Sequence, residues 1–140
     1  MISSAKQFVF VHTPKTAGTS MTNVLSKYCE GIRGNGDQMH NGWPTKHWLL
    51  DGYYQNFGNI DSYYKFTVVR NPWDRMVSRY FYTKKINKKF NNYTFEEFVD
   101  YDINTNARVL NQFEFCTKDK NSFCLDSIIR FENINDDFSK

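Results

Sequence analysis

Seven consecutive residues, Pro14-Lys15-Thr16-Ala17-Gly18-Thr19-Ser20, gather a cation, three hydroxyls and a glycine into one short segment. They follow the apolar run Phe8-Val9-Phe10-Val11 and precede a stretch of helical periodicity, so they join a buried strand to the start of a helix. The unpaired N–H groups and the dipole at such a junction favour an anion. Gly18 lets the backbone come close, Lys15 adds a positive charge, and the hydroxyls of Thr16, Thr19 and Ser20 add donors. An ATP-binding P-loop requires glycine six positions before the lysine and again immediately before it; Val9 and Pro14 stand there, which disfavours an NTPase or kinase. Taken alone, the segment reads equally well as an ordinary strand-to-helix turn with N-cap hydroxyls.

A second constellation shifts that balance. Phe66 to Val69 reads as a strand, Arg70 stands at its end, and Asn71-Pro72-Trp73-Asp74 supplies an N-cap, a proline at the first helical position and an early acid. Ser78 then falls about two turns into the helix. A guanidinium and a hydroxyl so placed can clamp one phosphate. Two separate anion sites imply a ligand with two separated anionic groups.

The elements that must carry these residues follow from the pattern. Met21, Val24, Leu25 and Tyr28 recur at helical spacing, giving an amphipathic helix that ends near Gly31. Residues from Gly31 to Pro44 read as a loop or excursion, and His47 to Phe57 as a return to helix. In the helix after Arg70, Trp73, Val77, Tyr80 and Phe81 form an expected packing face, against a polar face of Arg75, Ser78, Arg79 and Tyr82. Arg75 is expected in a surface or core-edge ion pair. Thr94 with Glu97 forms a capping box for a helix through Tyr101, and Ser127 to Phe131 reads as a buried strand. Alternating strand and helix predicts an α/β fold with a largely parallel sheet and ligands at the carboxyl ends of its strands.

Composition fits one domain spanning residues 1–140, with 40% hydrophobic and 24% charged residues. A net charge of +3 is too small to argue for nucleic acid and suits a small anionic ligand. No run approaches a membrane span and no signal peptide precedes the first strand, so the expected location is cytoplasmic. Cys29, Cys116 and Cys124 lack metal or redox spacing and read as buried free thiols, with a Cys116–Cys124 bridge the disfavoured alternative.

With both constellations in hand, the chain resembles the carbohydrate sulfotransferases that use 3′-phosphoadenosine-5′-phosphosulfate (PAPS). Their 5′-phosphosulfate loop is similar to Pro14 through Ser20, and their 3′-phosphate motif to Arg70-Asn71-Pro72-Trp73-Asp74-Arg75 with Ser78. Ile129-Arg130-Phe131-Glu132-Asn133-Ile134 with Asp136-Asp137-Phe138 resembles a later strand and helix start. The resemblance covers nearly the whole chain. It implies a P-loop-like three-layer sandwich, PAPS as donor and adenosine 3′,5′-bisphosphate (PAP) as product without a metal. It implies that Lys15 contacts the bridging phosphate, that Thr16 to Ser20 wrap the 5′ end, and that Arg70 and Ser78 bind the 3′-phosphate. Relatives of this kind usually continue with further helices, so the chain is expected to be a minimal or truncated form.

Sulfuryl transfer to a hydroxyl needs a base for the acceptor proton and positive charge at the leaving phosphate. His47 occupies the place where related enzymes often carry their base; His12 is expected to orient the loop, His40 to lie in a mobile stretch, and Asp51 and Glu132 are reserves. Trp43, Trp48, Tyr53 and Tyr54 read as core aromatics or as a platform for a sugar ring. Lys84, Lys85, Lys88 and Lys89 are a solvated run or an attractor for an anionic acceptor. The expected partners are therefore the nucleotide donor and a glycan or other hydroxyl acceptor. A non-catalytic PAPS- or PAP-binding module of the same fold is the alternative.

Overall fold

A computed structural model describes residues 1–29, 39–40, 43–44, 47–106, 111–119 and 121–139. Among the described residues six strands appear: β1 (Ile2–Ser3), β2 (Phe8–Val11), β3 (Met39–His40), β4 (Trp43–Pro44), β5 (Tyr64–Val69) and β6 (Ser127–Arg130). Five α-helices accompany them: α1 (Gly18–Leu25), α2 (Leu50–Phe57), α3 (Pro72–Ile86), α4 (Phe95–Asn106) and α5 (Ile134–Phe138). The main sheet has the order β1-β2-β5-β6, with β2, β5 and β6 parallel and β1 antiparallel to β2. The fold is thus mixed α/β around a mostly parallel sheet, as alternation of strand and helix predicts.

Val9, Phe10 and Val11 are all fully buried because both faces of β2 are covered. Val9 and Val11 join Trp48, Leu50 and Tyr53, the α2 side of the sheet. Phe10 joins Met21, Leu25, Phe66 and Val68, the α1 side. A third cluster of Tyr80, Phe90 and Phe98, flanked by Met76 and Tyr101, binds α3 to α4. β2 and β5 are neighbours in register, Phe10 opposite Phe66 and Val11 opposite Thr67, so their carboxyl ends emerge side by side. The Thr67 hydroxyl donates to the Val11 carbonyl at 2.6 Å and lies 3.1 Å from the Thr13 hydroxyl, tying those two ends together.

The packing face of α3 differs from expectation. Of its expected residues only Tyr80 is buried; Trp73, Val77 and Phe81 are exposed, Trp73 by 80%, while Met76 packs with Tyr80 on α4 and Arg75 is buried. The helix is rotated so that Ser78, Arg79 and Tyr82 face the polar cleft at the sheet end, which leaves the apolar contact to the α4 side. Of the expected apolar stripe after the loop only Met21 and Leu25 are buried; Val24 in α1 and Tyr28 beyond its end face solvent. β6 is an edge strand with only Ile129 buried, so the expected buried strand there is half exposed. The expected loop from Gly31 to Pro44 lies outside the described residues, apart from the antiparallel β3–β4 pair. The capping box forms as expected: the Glu97 carboxylate accepts from Thr94 N–H at 2.8 Å and the Thr94 hydroxyl from Glu97 N–H at 3.2 Å. That helix, α4, runs on to Asn106. All three cysteines are thiols, Cys29 and Cys116 buried as expected and Cys124 only partly so.

Candidate functional site

Between the carboxyl ends of β2 and β5 lies a cleft of about 510 Å³. From the first loop it is lined by Pro14, Lys15, Ala17, Gly18, Thr19 and Ser20, and from the second motif by Arg70 and Ser78. His47 also reaches it. Two sequence segments about sixty residues apart thus share one wall-to-wall space, because parallel neighbours put their following loops at the same edge.

The loop backbone has an unusual shape. Lys15 and Ala17 have φ of 65° and 66°, left-handed values that non-glycine residues seldom adopt, while Thr16 between them does not. Alternation of that kind turns successive N–H groups toward one concavity, the geometry of anion nests. Strain of order 1 kcal/mol per left-handed residue persists only where surroundings enforce it. Two contacts do so here. The buried Thr16 hydroxyl donates to the Thr13 carbonyl at 2.8 Å, and Arg75 Nη1 donates to the Pro14 carbonyl at 3.4 Å. Thr16 therefore braces the loop with its hydroxyl and does not line the cleft. Of the expected surface or core-edge position, Arg75 takes the inner one: it is buried and faces the charge of Asp102, and burial first, then the neighbouring Arg79, pushes its pKa down to about 10.

Gly18 has a cause other than close ligand approach. A Cβ placed there would sit 1.8 Å from His12 Nε2, so the imidazole occupies the space a side chain would need. His12 is buried, with its ring 4.6 Å from that of His47 and nearly perpendicular to it. Gly18→Ala should therefore displace His12, destabilise the fold by about 1–3 kcal/mol and disturb the loop above it. Thermal unfolding checks this, and Ala17→Gly, which suits the left-handed backbone, serves as a control that keeps or raises stability.

His47 Nδ1 lies 3.1 Å from the His12 carbonyl oxygen. A carbonyl only accepts, so Nδ1 carries a proton, and in the neutral imidazole Nε2 is then the basic nitrogen. The reserve bases sit elsewhere. The Asp51 carboxylate accepts from Gln55 Nε2 on α2, and the Glu132 carboxylate accepts from Asn71 N–H at 2.7 Å, a bond that holds its pKa down. Neither lines the cleft. Trp48 and Tyr53 are core residues, leaving the sugar-platform expectation without them. The side chains of His40 and Trp43 lie outside the described residues.

Arg70 is fixed from two sides. Gln112 brackets its backbone, accepting from Arg70 N–H at 3.0 Å and donating to its carbonyl at 2.8 Å. Its guanidinium carbon stands 4.2 Å from the centre of the Phe131 ring. Arg70 Nε is buried, and among the described residues nothing accepts from it. Arg79 enters the same cleft, held by the buried Asp102 through bonds of 2.6 Å from Nε and 2.7 Å from Nη2. Lys15 Nζ rests 3.9 Å from the centre of the Tyr82 ring. Burial, then the charges of Arg70 and Arg79, lower the Lys15 pKa. Gln112, Phe131 and Tyr82 carried no local signal for these roles; Asp102 was equally silent, because each acts across a long sequence separation.

The cleft is thus a strongly cationic pocket with an amide-lined loop at one end, a guanidinium and a hydroxyl at another, and an imidazole beside the loop. Among the described residues no group of three or more His, Cys, Asp or Glu is placed to hold a metal ion, and no helix is long and apolar enough to cross a membrane. Residues 1–140 match the Sulfotransferase family throughout. The chain belongs to that family. It is also 37% identical over 82 residues to a protein of Archaeoglobus fulgidus described as uncharacterized, a match covering 58% of this chain and 66% of that relative. The match thus spans just under two thirds of the relative's length. No solved structure matches.

Proposed function

We propose that this chain transfers a sulfuryl group from PAPS to the hydroxyl of an organic acceptor and releases PAP. The observation that carries the proposal is the convergence of Lys15, Arg70 and Arg79 on one cleft, with the buried Arg70 Nε lacking an acceptor among the described residues. Such an orphaned donor is costly unless a ligand completes it. Two phosphate groups separated by a nucleoside fit the two anion-binding ends, and about 510 Å³ is within the range of small-molecule sites.

In this reading the loop from Pro14 to Ser20 holds the 5′ end through backbone N–H groups and the Thr19 and Ser20 hydroxyls, in the manner of P-loop-like nucleotide folds. Arg70 and Ser78 hold the 3′-phosphate. The donor supplies an activated sulfuryl group. The acceptor oxygen forms a bond to sulfur, the bond from sulfur to the 5′-phosphate oxygen breaks, and the proton goes to His47 Nε2. Lys15 stands where the departing phosphate gains charge.

The test is calorimetric titration with PAP, followed by a search for transfer of labelled sulfate from PAPS to phenols, alcohols and saccharides. PAP should bind, and Arg70→Ala should weaken it by about 10- to 100-fold, the loss of a charge-assisted phosphate contact. No PAP binding would overturn the proposal; binding without transfer to any acceptor would identify a non-catalytic nucleotide-binding module.

A further inference from the structure

Lys15, Arg70 and Arg79, the cations that line the donor cleft, are held in two different ways. Arg79 is bound by a carboxylate, Asp102, which accepts from its Nε and Nη2. Lys15 and Arg70 form no ion pair among the described residues. Each rests instead on an aromatic ring from another element: Lys15 Nζ stands 3.9 Å from the centre of the Tyr82 ring, and Arg70 Cζ 4.2 Å from that of Phe131. Glu132 senses the Arg70 charge, but its carboxylate is bound to Asn71 N–H and does not line the cleft. The fold dictates both pairings. β5 and β6 run parallel with Val69 opposite Arg130, so the residues that follow, Arg70 and Phe131, leave the sheet side by side. Tyr82 lies one helical turn beyond Ser78 on α3 and lines the same cleft, where it meets the Lys15 side chain.

Resting on the donor reading, we propose that Tyr82 and Phe131 are positioning residues: their rings aim Lys15 and Arg70 into the cleft and leave the N–H groups of both cations for the phosphates of the nucleotide. A ring face attracts a cation through its quadrupole and supplies no oxygen to take up an N–H. The buried Arg70 Nε shows the consequence, since nothing among the described residues accepts from it. A carboxylate in the same place would do the opposite. It would engage the N–H groups, as Asp102 does with Arg79, and that pair would have to be broken before a phosphate could enter. With no support at all, the ligand itself would have to order two long side chains, a loss of affinity that preorganisation avoids. An aromatic support lies between these extremes: it is strong enough to orient a cation and weak enough to share it with an anion.

The experiment is calorimetric titration of PAP into ring-removing, ring-keeping and doubly substituted chains. Tyr82→Leu and Phe131→Leu should each weaken PAP by about 2- to 5-fold, the contribution of one partly exposed contact between a cation and a ring. Tyr82→Phe and Phe131→Tyr, which keep the ring, should recover most of that loss. In a Lys15→Ala background Tyr82→Leu should cost nothing further, and in Arg70→Ala the same holds for Phe131→Leu, because each ring acts through its own cation. Phe131 also packs on the cluster of Phe10, Met21 and Phe66, so Phe131→Leu removes core contacts as well. Ring-fluorinated phenylalanines at position 131 separate the two effects. They change the shape of the ring little while its negative face fades, and PAP should weaken stepwise as fluorines are added. Ring-keeping variants no better than leucine, additive losses in the double variants, or one PAP affinity across the fluorinated series would each overturn the assignment, while PAP binding to the wild type leaves the donor reading standing. A wild-type chain that does not bind PAP overturns the donor reading, and the role of the two rings with it.

Discussion

Lys15→Ala should lower sulfuryl transfer by about 10²- to 10³-fold, the usual cost of removing one preorganised group that stabilises charge in the transition state. The reason is positional. A left-handed backbone at Lys15 directs a side chain into the cleft that also holds Arg70 and Arg79, and its ammonium is half shielded against the Tyr82 ring. PAP, which already carries its full charge, should lose only about 10-fold, the contribution of a single charged contact. The split between the two losses separates a residue acting on the transition state from one that merely binds. Lys15→Arg should recover affinity more than turnover, because a planar fork does not replace a point charge. His47→Ala should show the complementary pattern, slowing transfer while sparing PAP. A Lys15→Ala chain within threefold of wild-type transfer would remove Lys15 from the mechanism.

The same residue gives a pH signature. Burial and the two guanidiniums lower the Lys15 pKa from its ordinary 10.5 in the free protein, and a bound phosphate would raise it again. A group that binds its proton more tightly in the complex makes affinity greatest below its free-state pKa. PAP binding should therefore weaken as pH rises through that lowered value, with proton uptake detectable in buffers of different ionisation enthalpy. Lys15→Ala should abolish the uptake.

What could be read from the chain, and what could not, divides by range. The strand Phe8–Val11, the junction at Pro14, the Asn71-Pro72 start of α3 and the Thr94–Glu97 box are all encoded within a few residues, and each forms where local rules put it. The orientation of α3 is not local. Its most apolar stripe, Trp73-Val77-Phe81, faces outward because Arg75 must reach the Pro14 carbonyl and Met76 and Tyr80 must meet α4. Hydrophobic periodicity identifies a helix but fixes its rotation only when a nonpolar core is the sole demand on it. A helix that also walls a polar cleft answers to the cleft. Gly18 makes the same point on a smaller scale: the sequence suggests backbone approach to a ligand, whereas the nearest obstacle is His12. The cleft-lining Lys15 and Arg70 were legible because they follow strand ends closely; the supports of the cleft, Gln112 beneath Arg70 and Asp102 behind Arg79, come from distant segments.

Asp102 is the support whose loss should cost most stability. Its side chain is only 2% exposed, and it accepts both Nε and Nη2 of an Arg79 that is itself 22% exposed. It also faces the charge of buried Arg75, whose pKa burial and Arg79 push down to about 10 and Asp102 raises. One carboxylate thus offsets two guanidiniums in a partly dry layer between α3 and α4. Breaking a buried pair from one side strands its partner, a loss of roughly 3–5 kcal/mol. Asp102→Ala should accordingly lower the unfolding midpoint by on the order of 10–15 °C. Asp102→Asn, which keeps an acceptor but not the charge, should recover part of that. Arg79→Met with Asp102→Leu should also recover part of it, since an apolar pair carries no desolvation cost. The recovery is incomplete because Arg75 remains. A cycle of these variants should give a coupling energy above about 1 kcal/mol, as expected for side chains in direct contact. The cleft supplies an independent readout. In Asp102→Ala a phosphate can take the place of the missing carboxylate beside Arg79, so saturating PAP should raise the midpoint of this variant more than that of the wild type. If Asp102→Ala unfolds within about 1 kcal/mol of wild type, the position of Arg79 in the cleft is not held by this ion pair and follows instead from the packing of Met76 and Tyr80 on α4.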